Sequence, residues 1–199
     1  MQLTGLGTAG KLKYLRQSPF TLHPQILAAI RQEADHARAG RPAGIIAKMN
    51  ALLEPEIISA LYEASMAGVQ IDLIIRGVCA LRPGIPGLSD NIRVRSIIGR
   101  FLEHHRVFYF KSTESVLLSS ADWMDRNFFR RVEVCFPVLD DRLKKRVVDE
   151  SLKTYLADVG EAWEMDSDGR YQRKKSAHGK RAAAQAALLA KLSSGPAPA

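Results

Sequence analysis

The stretch that most limits the possible folds runs from Gly44 to Arg76. Gly44-Ile45-Ile46-Ala47-Lys48-Met49-Asn50 is a short apolar run bounded by turn residues, which reads as a buried strand. Pro55 then opens a helix whose apolar positions Ile57, Ile58, Leu61, Tyr62 and Met66 follow helical spacing, and Gly68 ends it. Val69 to Arg76 is a second apolar run of strand length. Strand, helix and strand in immediate succession predict a parallel pair joined by a right-handed crossover, and so an α/β fold.

The flanking chain extends this pattern. Met1 to Ser18 reads as an extended lead-in with Gly5 and Gly7, like the tail of something that precedes it. Thr21 as N-cap and Pro24 in the first turn predict a helix carrying Ile26, Leu27, Ile30, Ala34 and Ala37, stopped by Gly40 and Pro42. Gly77 to Asn91 is a loop rich in Gly and Pro, and Ile92 to Ile98 a third strand with Arg93 and Arg95 on one face. A short helical turn is expected around Phe101. Two strand-like runs follow, Val107–Phe110 and Val116–Leu118, flanking a turn. Val132 to Val138 is another strand. Asp140 to Val159 is a helix with Leu143, Val147, Val148, Leu152 and Leu156 on one face. Ala182 to Leu192 reads as a last helix and Ser193 to Ala199 as a disordered end.

A chain of 199 residues is long enough for one domain with a substantial core. Its charge is less ordinary: formal net charge is +8 and the pI about 9.7. Six of the cations, Arg170, Arg173, Lys174, Lys175, Lys180 and Arg181, crowd into one segment. Such a balance suits a polyanionic partner, whether nucleic acid, membrane surface or free polyphosphate; a solvated tail is the plainer alternative. Cys79 and Cys135 sit beside apolar runs without zinc spacing, so reduced, buried thiols and a cytoplasmic protein are expected. No signal peptide opens the chain, and no apolar run approaches the length of a membrane span.

If the two runs around Val107–Phe110 pair as a hairpin, His104 and the Ser119–Asn127 loop fall at one sheet edge. In an open α/β sheet, ligands bind beyond the carboxyl ends of strands, which is where Arg76 sits. Its guanidinium cannot discharge, so it either grips a phosphate or pairs with a buried carboxylate. His104 and His105 point to opposite sides if they begin a strand, so at most one faces the site. Glu103 is placed to orient the His104 ring. Lys48 and Asn50 share the rim as secondary phosphate contacts. Arg126, Arg130 and Arg131 extend a basic groove, unless one of them pairs with Glu133. Asp122 and Trp123 read as a turn stapled by its own side chains and packed on the core. No Walker loop, HExxH, GxSxG or kinase HRD/DFG set occurs. An imidazole, hydroxyls and guanidiniums within one reach suit an anionic oxygen ligand.

Several ordered blocks then resemble one family. Lys48-Met49-Asn50-Ala51-Leu52, Leu61-Tyr62-Glu63-Ala64-Ser65, Asp72-Leu73-Ile74-Ile75-Arg76-Gly77-Val78-Cys79, Leu81-Arg82-Pro83-Gly84, Ser89-Asp90-Asn91-Ile92, Leu102-Glu103-His104 and Ser119-Ser120-Ala121-Asp122-Trp123-Met124 resemble the C-terminal part of bacterial polyphosphate kinases of the first family. The resemblance runs from about Lys11 to Tyr171. It implies a phospholipase-D-like mixed sheet flanked by helices in a single domain. Residues 1–14 would be the remnant of a preceding domain, 15–165 the C-terminal catalytic domain, and 166–199 a basic tail with a terminal helix. It also implies reversible transfer of the terminal phosphoryl group of ATP to polyphosphate, with magnesium, through a phosphohistidine. Phosphohistidine and metal site belong to the preceding domain, so no metal ligand is expected in this chain. By motif, Arg76 matches an arginine that holds ATP phosphates, and His104 an active-site histidine on the same phosphates. His105 stands where the family often has an acidic residue, and no role is carried to it.

The expected partners are ATP or ADP, inorganic polyphosphate, and the preceding catalytic domain in cis or trans, with no specific nucleic acid. A homo-oligomer is expected for the full-length enzyme. The location expected is cytoplasmic or peripheral to the inner membrane. The chain alone is expected to be inactive. Two other readings compete: a non-catalytic polyanion-binding module or gene fragment, and a phospholipase-D-type phosphodiesterase. The second needs paired His-x-Lys motifs, against which His104-His105-Arg106 offers a single His-x-Arg.

Overall fold

The computed structural model describes residues 12–173 and 183–194. The lead-in before residue 12, most of the basic run (174–181) and the end after residue 194 lie outside the described residues. In chain order the elements are β1 (Arg16–Gln17), α1 (Leu22–Arg38), β2 (Ile45–Met49), α2 (Pro55–Met66), β3 (Ile71–Ile75), β4 (Ile92–Ile97), β5 (Arg106–Phe110) and β6 (Ser115–Ser119). There follow α3 (Asp125–Phe129), β7 (Val134–Pro137), α4 (Asp141–Val148), a π-helical stretch (Asp149–Lys153), α5 (Thr154–Leu156), β8 (Ala162–Met165), β9 (Tyr171–Arg173) and α6 (Ala184–Ser193).

The strands form one mixed sheet in the order β1-β7-β6-β5-β2-β3-β4-β8-β9. The expected crossover is its centre: β2 and β3 run parallel, with Ile45 opposite Ile71 and Met49 opposite Ile75, and β4 adds in parallel on β3. The expected hairpin also forms, with Arg106 opposite Ser119 and Phe110 opposite Ser115. A 3-10 turn at Lys111–Thr113 and a left-handed Glu114 close it. Because β5 is antiparallel to β2, its start lies beside the end of β2. The residues before β5, after β6 and before β8 therefore gather at the carboxyl edge of the parallel strands.

Alternation along the strands splits the core between two faces. Ile45, Ala47, Leu73, Ile75, Phe108 and Phe110 pack with Ile26, Ile30, Ile57 and Leu61 of α1 and α2. Ile74, Val107 and Val116 face the other way, against Leu152, Tyr155 and Ala184. Trp123 is fully buried at 4.9 Å from the Phe108 ring, as the core reading of this turn expects. Glu33, also fully buried, locks α1 to the sheet by accepting from Gly44 N–H and Ser112 N–H at 2.8 Å each.

Several expectations need correction. The region around Phe101 is an extended loop with a bend, not a helical turn. Its backbone is bonded by a distant side chain, that of Gln185, instead of within a local turn. Helix α1 starts after Thr21, but the Thr21 hydroxyl accepts from Gln17 N–H behind it and does not cap the helix. The helix expected to reach Val159 stops at Leu156, because Asp158 folds back to accept from Gly160 N–H and Glu161 N–H. Strands β8 and β9 extend the sheet where no strand was read, pairing antiparallel beside β4. Cys135 is buried as expected, but Cys79 is only half-buried; burial pushes the Cys79 thiol up to about 11 and the Cys135 thiol to about 12.

Candidate functional site

At the carboxyl edge the chain passes four times. The end of β2 delivers Asn50, the end of β3 delivers Arg76, the loop before β5 delivers Glu103, His104 and His105, and the end of β6 delivers Asp122. Two glycines make the approach possible. A Cβ on Gly77 would stand 2.9 Å from the Asn50 carbonyl oxygen, which accepts from Gly77 N–H. Gly99 is crowded by side-chain ends instead, those of Glu161 just before β8 and of Gln185 in α6.

The Asp122 carboxylate is the hub. It is 7 % exposed and grips Arg106 at two points, Nε to Oδ1 at 3.1 Å and Nη2 to Oδ2 at 3.0 Å. The same Oδ1 accepts from Asn50 N–H at 2.7 Å. From this hub two arms extend. Arg106 Nη1 donates to the His104 carbonyl at 2.7 Å. Asn50 Oδ1 accepts from Arg76 Nε at 3.0 Å. One hydrogen-bonded chain thus runs from the His104 backbone to the Arg76 guanidinium. The turn itself is stapled by Asn127, whose Oδ1 accepts from Asp122 N–H at 3.0 Å.

Arg76 is half-buried, and among the described residues no carboxylate pairs with it. Other arginines of this sheet are neutralised: Arg93 by Asp72, Arg95 by Glu164, Arg106 by Asp122. Of the two alternatives for Arg76, the buried ion pair is absent among the described residues. Its single amide bond aims the guanidinium and leaves its charge available.

The two histidines do not begin a strand, since β5 starts at Arg106, but they still differ in exposure. His104 is exposed; His105 is half-buried, its ring 5.6 Å from that of Tyr155. Burial, with the Lys48 and Arg106 cations, lowers His105 to about 4, so it is neutral at physiological pH. Glu103 does not orient the His104 ring, contrary to expectation. Its carboxylate turns to the opposite face, accepting from Lys48 Nζ at 2.8 Å and from the Tyr155 hydroxyl. Lys48 is 5 % exposed and lies 4.3 Å over the Tyr155 ring. Burial and, more weakly, the nearby Arg76 pull the Lys48 amine below its ordinary value, with Glu103 opposing. Burial resists ionisation of Glu103, but the bonds from Lys48 and Tyr155 bring its carboxyl below the usual range. Lys48 thus braces the loop that carries His104.

The remaining candidates lie at the margin. Arg126 is exposed on α3, and among the described residues no side-chain bond joins it to this network. Arg130 pairs with Asp125, and Arg131 lies 4.0 Å from Glu133. A cavity of about 320 Å³ elsewhere, lined by Tyr14, Arg16, Ile26, Phe110 and Cys135, contains none of these groups. The carboxylates of the site, Glu103 and Asp122, are each committed to a cation, and among the described residues no cluster of three or more His, Cys, Asp or Glu is placed to hold a metal. Among the described residues the donor set at this edge does not fit a resident metal ion.

Asp122, Arg106 and Tyr155 escaped the sequence reading as organisers of the site. Asp122 carried a turn signature, and Tyr155 stands 52 residues from its partner Glu103. Only a sheet register could have brought them together.

Comparison with known proteins places this geometry in context. Residues 15–185 match the family model described as polyphosphate kinase C-terminal domain 2. The chain is 62 % identical over 195 residues to a polyphosphate kinase of Paraburkholderia phytofirmans, and 61 % identical over 195 residues to one of Burkholderia cenocepacia. Each alignment covers 97 % of this chain and 28 % of the relative, so the chain spans little more than a quarter of the length of these relatives. Among solved structures it resembles a polyphosphate kinase of Porphyromonas gingivalis, with a TM-score of 0.89 and 36 % identity over 96 % of this chain and 30 % of that one. A phospholipase D family member, Nuc of Salmonella typhimurium, shares the fold at a TM-score of 0.50 and 18 % identity, covering 68 % of this chain and 88 % of that one.

Proposed function

The chain belongs to the polyphosphate kinase family, as its C-terminal domain, and we propose that it forms the phosphate-gripping half of an ATP:polyphosphate phosphotransferase site. Arg76 carries this reading: a half-buried guanidinium at a strand's carboxyl end, aimed by an amide and unpaired with any carboxylate among the described residues. Such a group binds non-bridging phosphate oxygens through paired N–H donors. His104, exposed on the same edge, hydrogen-bonds the transferring phosphoryl group or gives a proton to the leaving oxygen. Asn50 aims Arg76, while Arg106 and Asp122 fix the backbone of His104. Phosphoryl transfer asks mainly for positioning and charge neutralisation, and this edge is built to supply both.

An exposed His104 beside a partly exposed Arg76 supports a site completed by a second surface, for which the preceding catalytic domain is the proposed partner. That domain would bring the phosphohistidine. Magnesium would arrive on the nucleotide phosphates, as part of the substrate. Arg126 would add a peripheral phosphate contact. In this reading the protein works in the cytoplasm, where ATP is available, as part of a homo-oligomer. No helix among the described residues is long and apolar enough to cross a membrane.

The test is complementation. The purified chain is incubated with gamma-labelled ATP and magnesium, with and without an added preceding domain. Labelled polymer is expected only in the mixture, and Arg76→Ala or His104→Ala should lower its rate about 100-fold. Polymer made by the chain alone would overturn the division of roles. No polymer in the mixture, with both parts folded, would leave a polyanion-binding module.

A further inference from the structure

Gln185 of α6 is 5 % exposed, and its side-chain amide satisfies one distant residue completely. Phe101 N–H donates to Gln185 Oε1 at 2.7 Å, and Gln185 Nε2 donates to the Phe101 carbonyl at 2.8 Å. This two-point contact spans 84 residues of chain and imitates a neighbouring strand. The loop is shaped to admit it. A Cβ on Gly99 would stand 2.5 Å from Gln185 Oε1 and 2.5 Å from Glu161 Oε2, so a side chain there would displace these groups from the loop.

The helix that carries Gln185 is itself pinned. Asp158 is 1 % exposed; its Oδ2 accepts from Ala184 N–H at 2.7 Å, and its Oδ1 accepts from Gly160 N–H and Glu161 N–H at 2.9 and 2.8 Å. Lys191 pairs with Glu150 at 3.3 Å farther along the helix. Downstream of Phe101, Glu103 is held by Lys48 and Tyr155, and the His104 carbonyl by Arg106. The anchors of Glu103 and His104 come from the sheet and the α4–α5 helix; Phe101 depends on α6.

We infer that Gln185 is a positioning residue: by gripping the Phe101 backbone, α6 sets where His104 stands relative to the phosphate held by Arg76. This rests on the reading of His104 as a phosphate ligand. A loop freed at Phe101 must be ordered again when ligand binds, and that cost appears as lost affinity.

A double-mutant cycle tests it, with inorganic polyphosphate titrated into the 199-residue chain at fixed salt. Gln185→Ala should weaken binding about 3- to 10-fold when His104 is present and leave it unchanged in the His104→Ala background. The Phe101 amide should exchange faster in Gln185→Ala, while the thermal transition confirms a folded chain. Equal weakening in both backgrounds would overturn the inference, because Gln185 would then act on the fold at large. No weakening by Gln185→Ala, where His104→Ala does weaken binding, would overturn it too. No effect of His104→Ala would instead defeat the reading of His104, and the inference with it. If Gln185→Ala does not fold, Gly99→Ala, which drives out the same side chain from the loop side, takes its place in the cycle.

Discussion

Asn50 and Arg76 on one side of the site, and the Ile98–His104 loop on the other, reach the same sheet edge by different means. The first side grows directly out of paired strands. Asn50 follows β2 and Arg76 follows β3, and a buried carboxylate, Asp122, fastens the Asn50 backbone and Arg106 together. The second side has no regular structure, and Ile98 and Leu102 stand exposed. It is held by side chains that arrive singly: Gln185 at Phe101, Lys48 and Tyr155 at Glu103, Arg106 at the His104 carbonyl. The difference teaches a division of labour. Arg76 is preset by the sheet, whereas His104 is preset by tertiary contacts that can be loosened one at a time.

The largest expected effect lies on the strand side. Asp122→Ala removes the partner of a mostly buried guanidinium and strands two backbone donors, at a cost of about 3 kcal/mol or more. Denaturant unfolding measures this directly. A loss no larger than that of Gln185→Ala would erase the contrast between the two sides. A second effect belongs to the loop side and is read through pH. His105 sits beneath the loop with its value lowered to about 4, from an ordinary 6.5. Between those values the unfolded chain binds a proton that the folded chain resists, so stability declines as pH falls from about 6.5 to about 4. His105→Phe keeps a ring against Tyr155 and should flatten that slope. An unchanged slope in unfolding curves across this window would mean that another group sets it.

Much of the frame was legible in the sequence because it is written in local pattern. The β2–α2–β3 crossover follows from two apolar runs around a helical repeat, and the hairpin from two short runs around a turn. These placed Arg76, Asn50 and His104 at one edge. What was not legible depends on partners far along the chain. Ala162–Met165 and Tyr171–Arg173 are short segments that become strands only by pairing beside β4. Adjacency in the chain points Glu103 at His104, but its partners Lys48 and Tyr155 are 55 and 52 residues away. Gln185 carries no motif at all; its role exists only where α6 meets the loop.

The central claim is that Arg76 is a specific phosphate ligand held ready by the sheet. The most direct measurement is calorimetric titration of inorganic polyphosphate into the wild-type chain and Arg76→Ala at two salt concentrations. The single side-chain bond of Arg76 to Asn50 means that Arg76→Ala should fold normally. Its affinity should drop about tenfold or more, with a shallower dependence on salt, because one phosphate contact has been lost. Equal affinity and equal salt slope in the two proteins would contradict the claim, and would make the chain a diffuse polyanion binder.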